Sequence, residues 1–462
     1  MPFSSSFSWK KARIRIDQFR ARHISHRNFL ILVSAVVGLV AALAAVALKL
    51  SVHFVEERVE LLNEHMHSGW LSALFPLIGT GLSMLLLVRV FRKRLQRGVG
   101  QVVESSITHQ HTLSKKHIWG HIATSSVTVA MGGSVGLEAP IVATGAAIGI
   151  NTGKDLRFSS KDTTLLLACG AASGIAAVFN SPIAGIIFTL EVLLIGFNIS
   201  FFVPLLIATA TATVVSQALY PGKFFFLAPE QWRLQALPFY VLLGLSCGIV
   251  SVYTSKLAEK IEHFFGKRKL NWKTWLLGGI PLCLLIFLLP GLYGEGYGMV
   301  TALLKGNYQA LTAHSFLQGS GGKPFAIILM CLLLILVKVI SATLTTGAGG
   351  NGGIFAPSMI IGGFTGFLFA YLVNLSGICP LNTANFIIVA MAGVLGGVLH
   401  GPLTAIFLLA EITGGYTLFV PLMIVVAISY FTNKKYTRHS IYHKSLVASG
   451  LLPETAHTAE YF

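Results

Sequence analysis

The sequence predicts an all-α polytopic membrane protein made of two related halves, and three observations carry that expectation: composition, the length of the apolar runs, and an internal repeat. Of 462 residues, 54% are hydrophobic and 11% charged, whereas a soluble domain carries about 25% charged residues. Mean hydropathy is +0.73. The runs Phe29–Leu50, Trp70–Val88, Phe239–Val252, Trp275–Leu289 and Phe325–Ile340 approach or reach the roughly 20 residues that a spanning helix needs. Shorter apolar runs are expected to be tilted, re-entrant or covered by neighbours, because lipid offers no partner to a bare backbone polar group.

The repeat organises the chain. Gly133-Ser134-Val135-Gly136-Leu137-Glu138-Ala139-Pro140 parallels Gly350-Asn351-Gly352-Gly353-Ile354-Phe355-Ala356-Pro357 at an offset of 217, and the segment Asn180–Glu191 parallels His400–Glu411 at an offset of 220. Two similar offsets over four segments define two related halves. The expected organisation is a basic cytosolic segment 1–28, a first half 29–220, a connection 221–238, a second half 239–446 and a tail 447–462. Glycine- and proline-broken apolar segments at matching positions of two halves point to a transporter's binding site, built from the ends of discontinuous helices.

Lys and Arg number 34 against 17 Asp and Glu, but the excess does not indicate nucleic acid. The basic residues flank apolar spans: Lys10 to Arg27 before the first, Arg89 to Arg97 after the second, and Lys434, Lys435 and Arg438 after the last. That is the positive-inside pattern, which places both termini in the cytoplasm. Cys169, Cys247, Cys283, Cys331 and Cys379 are odd in number and lack CxxC spacing, so neither a metal site nor a disulfide scaffold is expected. The first apolar run is too long for a signal peptide and is expected to remain as a span.

Glu138 is the residue that needs a reason. It lies in a glycine-rich turn two residues before Pro140, which is expected to open a helix whose unpaired N–H groups and positive dipole end face back at the turn. The second half repeats the turn and the proline but carries Phe355 where the first has Glu138. Two helix N-termini could therefore converge on one anion, with a single symmetry-breaking carboxylate at the same place. Glu191 and Glu411 are equivalent in both halves, which favours a structural role such as accepting N–H donors. A charge at mid-bilayer depth costs about 2.5–3.5 kcal/mol, so each of these acids calls for a partner or a role.

Three other patterns carry less. Gly244-Leu245-Ser246-Cys247-Gly248 fits GxSxG, but lies inside an apolar helix without His or acid partners, so no enzyme is expected. Gly319-Ser320-Gly321-Gly322-Lys323 lacks phosphate-loop spacing and is expected to be a connecting loop. His109, His111 and His117 are expected to be solvated loop residues, since no acid or Cys shares a face with them. No cofactor and no metal are implied.

These residues resemble the CLC family of chloride channels and proton/anion antiporters. Gly136-Leu137-Glu138-Ala139-Pro140 is similar to that family's G-x-E-G-P motif, Gly353-Ile354-Phe355-Ala356-Pro357 to its G-x-F-x-P motif, and Ser440-Ile441-Tyr442 to the stretch with the pore tyrosine. The resemblance covers roughly Phe29 to Leu446 and implies inverted halves, a homodimer in the lipid bilayer with one anion path per subunit, and chloride or another small monovalent anion as the permeant species. It implies Glu138 as the gating glutamate, with Ile354, Phe355 and Tyr442 lining the anion site and Gly136, Leu137, Pro140, Gly353 and Pro357 forming the helix N-termini. Gly98-Val99-Gly100 stands where the family has its selectivity turn, and Val99 replaces the anion-binding serine. Loss of that hydroxyl removes a donor worth about 1 kcal/mol. Val192 stands where antiporters carry a proton-relay glutamate, which favours passive, channel-like conduction gated by Glu138, the alternative being a proton-coupled anion antiporter, with fluoride export as one form of it. The chain has no length for the regulatory domains of eukaryotic members, so a bacterial inner-membrane protein is expected.

Overall fold

The computed structural model describes residues 25–66, 72–91, 98–108, 110–193, 199–221, 229–313, 315–317, 319, 322–448 and 450, and among them the regular structure is helical. Most of the basic N-terminal segment, the cluster Arg92 to Arg97, His109 and the tail beyond residue 450 lie outside the described residues.

Helix α1 (His26–Met66) contains the first expected span and runs on for 41 residues. At 1.5 Å per residue it is about 60 Å long, twice the roughly 30 Å hydrocarbon layer. Its far end therefore extends past that layer, where Glu56 and Glu57 are exposed. Helix α2 (Phe75–Leu85) ends in a π-helical turn, Leu86–Val90. After it come α3 (Gly100–Thr108), α4 (Lys115–Ala130), α5 (Glu138–Asp155), α6 (Ser160–Phe179), α7 (Pro182–Glu191) and α8 (Ile199–Leu219). The second half follows with α9 (Leu237–Gly266), α10 (Trp272–Leu288), α11 (Tyr297–Leu304), α12 (Pro324–Gly347), α13 (Phe355–Ser376), α14 (Thr383–Leu399), α15 (Pro402–Ile412), α16 (Phe419–Tyr436) and the short α17 (Lys444–Ala448). Among the described residues six helices, α1, α6, α8, α9, α12 and α13, are long and apolar enough to cross a membrane.

The repeat is visible as paired close approaches. Gly145 and Gly149 of α5 lie so near α6 that a Cβ would fall 2.1 Å from the Gly170 carbonyl oxygen and 1.9 Å from that of Leu166. Gly362 and Gly366 of α13 meet α14 in the same way, at 2.4 Å from the Ala390 oxygen and 2.2 Å from that of Phe386. Both pairs have the small-xxx-small spacing that lets helix backbones touch in lipid, where apolar burial alone drives no association. The next turns match too: α6 ends on Asn180 and α14 on His400, each left-handed at φ 55°, and each is followed two residues later by a proline that starts a helix.

Helices α7 and α15 pair antiparallel and cap each other. Glu411 accepts the backbone N–H groups of Ile183 (3.1 Å) and Ala184 (2.9 Å), while Glu191 accepts those of Leu403 (3.0 Å) and Thr404 (2.8 Å). The Thr404 hydroxyl adds a third bond to Glu191 at 2.7 Å. Pro182 and Pro402 bring no N–H, so each carboxylate satisfies the first free donors of the opposite helix. With 10 and 11 residues, these helices are only about 15 Å long and cannot span upright. They belong to the short, covered segments expected from the sequence. The exchange of contacts between equivalent residues, with opposite helix directions, is the mark of two inverted halves. A Glu411→Ala variant is expected to lose about 2–3 kcal/mol, because two N–H groups lose a charged acceptor. Thermal unfolding in detergent checks this, and an unchanged transition would contradict the capping role.

Two expectations are corrected. Helix α5 starts at Glu138 rather than at Pro140, and α13 at Phe355 rather than at Pro357. In each case the proline takes the third helical position, still inside the first turn, where a missing N–H loses no helical bond. Two of the three histidines are not solvated: His111 is buried with Nε2 3.1 Å from the Thr164 hydroxyl, and His117 is buried, its Nδ1 accepting the Ser114 N–H at 3.1 Å in a capping box at the start of α4. The capping geometry draws that ring onto the helix end, which composition alone did not reveal. Ser246 bonds back to the Leu242 carbonyl at 3.0 Å within α9, as an ordinary helical serine does. All five cysteines are unpaired, and no cluster of metal-ligating side chains occurs among the described residues.

Candidate anion site

The two glycine-rich turns are clamped to each other. Gly132 (φ 86°) and Gly349 (φ 108°) occupy equivalent places in the repeat, in a region that only glycine enters freely. The Thr345 hydroxyl accepts the Ser134 N–H at 3.2 Å, and the equivalent Thr128 accepts the Asn351 N–H at 3.0 Å. At the centre, Gly136 and Gly353 exchange both backbone bonds, N–H to O, at 3.0 and 2.9 Å. Two residues further on, α5 and α13 begin. Two helix N-termini, each carrying about half a positive charge, thus start from a single backbone bridge.

Glu138 fills this place. It is 2% exposed, and its Oε1 accepts the Tyr297 hydroxyl at 2.9 Å. Its Oε2 lies over Gly136, where a Cβ would come within 2.0 Å of it and within 2.7 Å of the Ala356 Cβ. The carboxylate therefore folds back from α5 across the bridge toward the start of α13, through space that Gly136 leaves free. Phe355, its counterpart, packs against Phe179 (5.7 Å between ring centres) and Phe188 (6.4 Å). One half contributes a charge to the meeting point; the other contributes an aromatic plug.

Cavities lie on both sides of Glu138. One, of about 370 Å³, is lined by Gly98, Val99, Gly100, Ala139, Gly353, Ile354 and Tyr442, with Glu262 and Arg268 also on its wall. The other, of about 310 Å³, is lined by Glu56, by residues of the segment between α10 and α11 including Glu295, and by Tyr297, Gly298 and Met299 at the start of α11. The first cavity brings together five of the six residues expected to line the anion path, Gly98, Val99, Gly100, Ile354 and Tyr442. Val99, at 1% exposed, presents an apolar side chain where a hydroxyl would have donated. Phe355 reaches the site through the start of its helix and not as a wall of that cavity. The Leu137 N–H does not face an open site; Glu295 Oε1 accepts it at 3.1 Å. Val192 is fully buried directly after α7, and its carbonyl lies 2.9 Å from His443 Nε2. A carbonyl only accepts, so Nε2 carries the proton and Nδ1, 2.9 Å from the Ser440 hydroxyl, accepts in the neutral ring.

Sequence reasoning missed three residues here. Lys338, fully buried in α12, donates to the carbonyls of Leu292 (3.3 Å) and Gly294 (2.9 Å). A lone charge inside an apolar run was the available signal. Glu295 reaches the site from a loop whose shape depends on Gly294 (φ 60°) and Gly296 (φ 100°), and Tyr297 from the first position of α11, directly after that loop. The alternation Gly294-Glu295-Gly296 was its only trace in the sequence.

A polytopic bundle of inverted halves, with helix N-termini meeting around one buried carboxylate between two cavities, defines a membrane protein of the anion-transporting class. Residues 79–434 match the family described as voltage gated chloride channel, and the chain belongs to that family. It is 29% identical over 435 residues to the H(+)/Cl(-) exchange transporter ClcA of Vibrio campbellii, covering 88% of this chain and 87% of that one. It is 27% identical over 389 residues to a ClcB-like protein of Ralstonia nicotianae, covering 82% and 86%. Among solved structures, a slow cyanobacterial Cl-/H+ antiporter superposes with a TM-score of 0.75 at 21% identity, over 94% of this chain and 100% of that one. A CLC-type fluoride/proton antiporter superposes with a TM-score of 0.72 at 24% identity, over 90% and 98%. Those structures share the fold.

Proposed function

We propose that this protein exchanges a small anion, chloride in the first instance, for protons, with Glu138 as the group that both blocks the anion path and carries the proton. The observation that carries it is the Glu138 carboxylate, buried at the bridge of Gly136 and Gly353 with a cavity on either side. An ionised carboxylate there sits between the two positive helix ends and excludes a competing anion. Protonation removes its charge, weakens its hold on two positive helix ends and vacates the place for the permeant ion. Backbone N–H groups and a tyrosine hydroxyl bind a halide without the trapping strength of a full positive charge. Similarity to an H(+)/Cl(-) exchange transporter over 88% of the chain supports exchange over the passive conduction that Val192 suggests.

Gly98, Val99, Gly100, Ile354 and Tyr442 form the cytoplasmic approach in this assignment. Lys267, Arg268 and Lys269 follow α9 and Lys434 and Lys435 close α16, and the Arg268 side chain lines the cavity on that side, in keeping with the positive-inside rule and cytoplasmic termini. The family resemblance adds a homodimer in a bacterial inner membrane, each subunit with its own path. Purified protein in liposomes tests the proposal: an outward chloride gradient is expected to drive protons uphill, read with a chloride electrode and a pH electrode together. Chloride flux without proton movement would identify passive conduction instead, and faster fluoride than chloride efflux would reassign the substrate, as the solved fluoride/proton antiporter suggests.

A further inference from the structure

We propose that Glu295 is the outer proton acceptor that loads Glu138, and that its charge sets the pH at which Glu138 leaves the anion site. The inference rests on the gating role of Glu138. Three geometric facts support it. Glu295 is half-buried: it lines the outer cavity and at the same time holds the Leu137 N–H, one residue before Glu138. Tyr297, two residues on, lines the same cavity and donates to Glu138 itself. The loop that carries Glu295 and leads into Tyr297 is fixed, since Gly294 donates its N–H to the Gly132 carbonyl at 3.0 Å and Lys338 holds the Gly294 carbonyl at 2.9 Å.

Of the residues lining the outer cavity, Tyr297 touches the fully buried Glu138 and Glu295 touches its neighbour Leu137. A proton arriving from the cavity binds Glu295; it then leaves that oxygen as a new O–H bond forms on Glu138, directly or with the Tyr297 hydroxyl passing one proton on as it receives another. One proton moves and no other bond changes. Glu295 faces Lys338 from α12, Lys49 and Glu56 from α1, and Glu138 from α5, while Glu138 faces Tyr297, Glu295 and Tyr442. Glu295 and Glu138 are two like charges facing each other, and like charges disfavour joint ionisation.

The test is Glu295→Gln, which keeps an acceptor for the Leu137 N–H but cannot titrate. With the inner pH fixed, the midpoint of acid-stimulated flux on outer acidification is expected to move about one unit lower, and coupled proton flux to fall about tenfold. Glu295→Asp, which restores the charge, is expected to return the midpoint toward wild type. A wild-type midpoint and coupling in Glu295→Gln would overturn the proposal and leave Glu295 as a backbone acceptor. If that variant does not fold, amidating the folded protein with a carbodiimide and a small amine, in a Glu56→Gln background, neutralises the same carboxylate; mass spectrometry confirms the site, and the same shift is expected, its absence again overturning the proposal. Glu138→Gln separates the two levels. A flat pH response there with an unshifted Glu295→Gln refutes only the role of Glu295, whereas a pH response that survives in Glu138→Gln refutes the gating role and this proposal together.

Discussion

Glu138→Gln is expected to uncouple the protein: anion flux continues, its pH dependence disappears, and coupled proton movement falls by about 100-fold or more, the scale on which a positioned proton-transfer group contributes. The amide is nearly isosteric, so it still fits over Gly136 and still accepts the Tyr297 hydroxyl, as the 2.9 Å contact requires. What it lacks is the charge that lets the carboxylate compete with an anion for two helix N-termini, and the proton it would carry. Parallel recordings of chloride and proton flux at two pH values check this. Unchanged flux with unchanged pH dependence would remove Glu138 from the gate.

The second large effect concerns the frame that holds the gate. Gly149→Ala places a Cβ 1.9 Å from the Leu166 carbonyl oxygen, and the obstacle is backbone, not the end of a mobile side chain. Helices α5 and α6 must then separate, with a loss of about 3 kcal/mol or more, the upper part of the range for overpacking. Because α5 begins at Glu138, the strain reaches the gate as well. Gly298→Ala is the control, since a Cβ there meets nothing within 4 Å. Thermal unfolding followed by size-exclusion chromatography should show an early loss of the folded species for Gly149→Ala and a wild-type curve for Gly298→Ala. Equal curves would contradict the close crossing.

The repeated motifs made the frame legible because each is a physical requirement met twice. A glycine turn before Glu138 and another before Phe355 signal two helix starts. Prolines at 182 and 402, followed nine residues later by Glu191 and Glu411, signal two capped helices. The glycine pairs at 145 and 149 and at 362 and 366 carry the same offset of 217 and could have been read as crossing points. What escaped was contributed by position rather than pattern. Glu295 meets Leu137 across 158 residues of chain and Tyr297 meets Glu138 across 159, the first on a loop with no periodicity and the second at the helix start directly after it. Val192 alone, a single missing carboxylate, is what favours passive conduction. Glu295, whose carboxylate holds the Leu137 N–H beside Glu138, and an H(+)/Cl(-) exchange transporter among the relatives are what favour the proton-coupled reading in the proposed function.

Anomalous scattering from crystals grown in bromide tests the central claim most directly, because bromide reports where an anion sits and the map shows the Glu138 side chain at the same time. At acid pH, bromide is expected at the bridge of Gly136 and Gly353, in the place now held by Glu138 Oε2, with the side chain withdrawn toward the outer cavity; at neutral pH the carboxylate should hold that place and bromide be confined to the cavity beside Ile354 and Tyr442. Bromide bound at the bridge with the Glu138 carboxylate unmoved, or no bromide there at either pH, would contradict a gate in which the carboxylate and the permeant ion compete for one site.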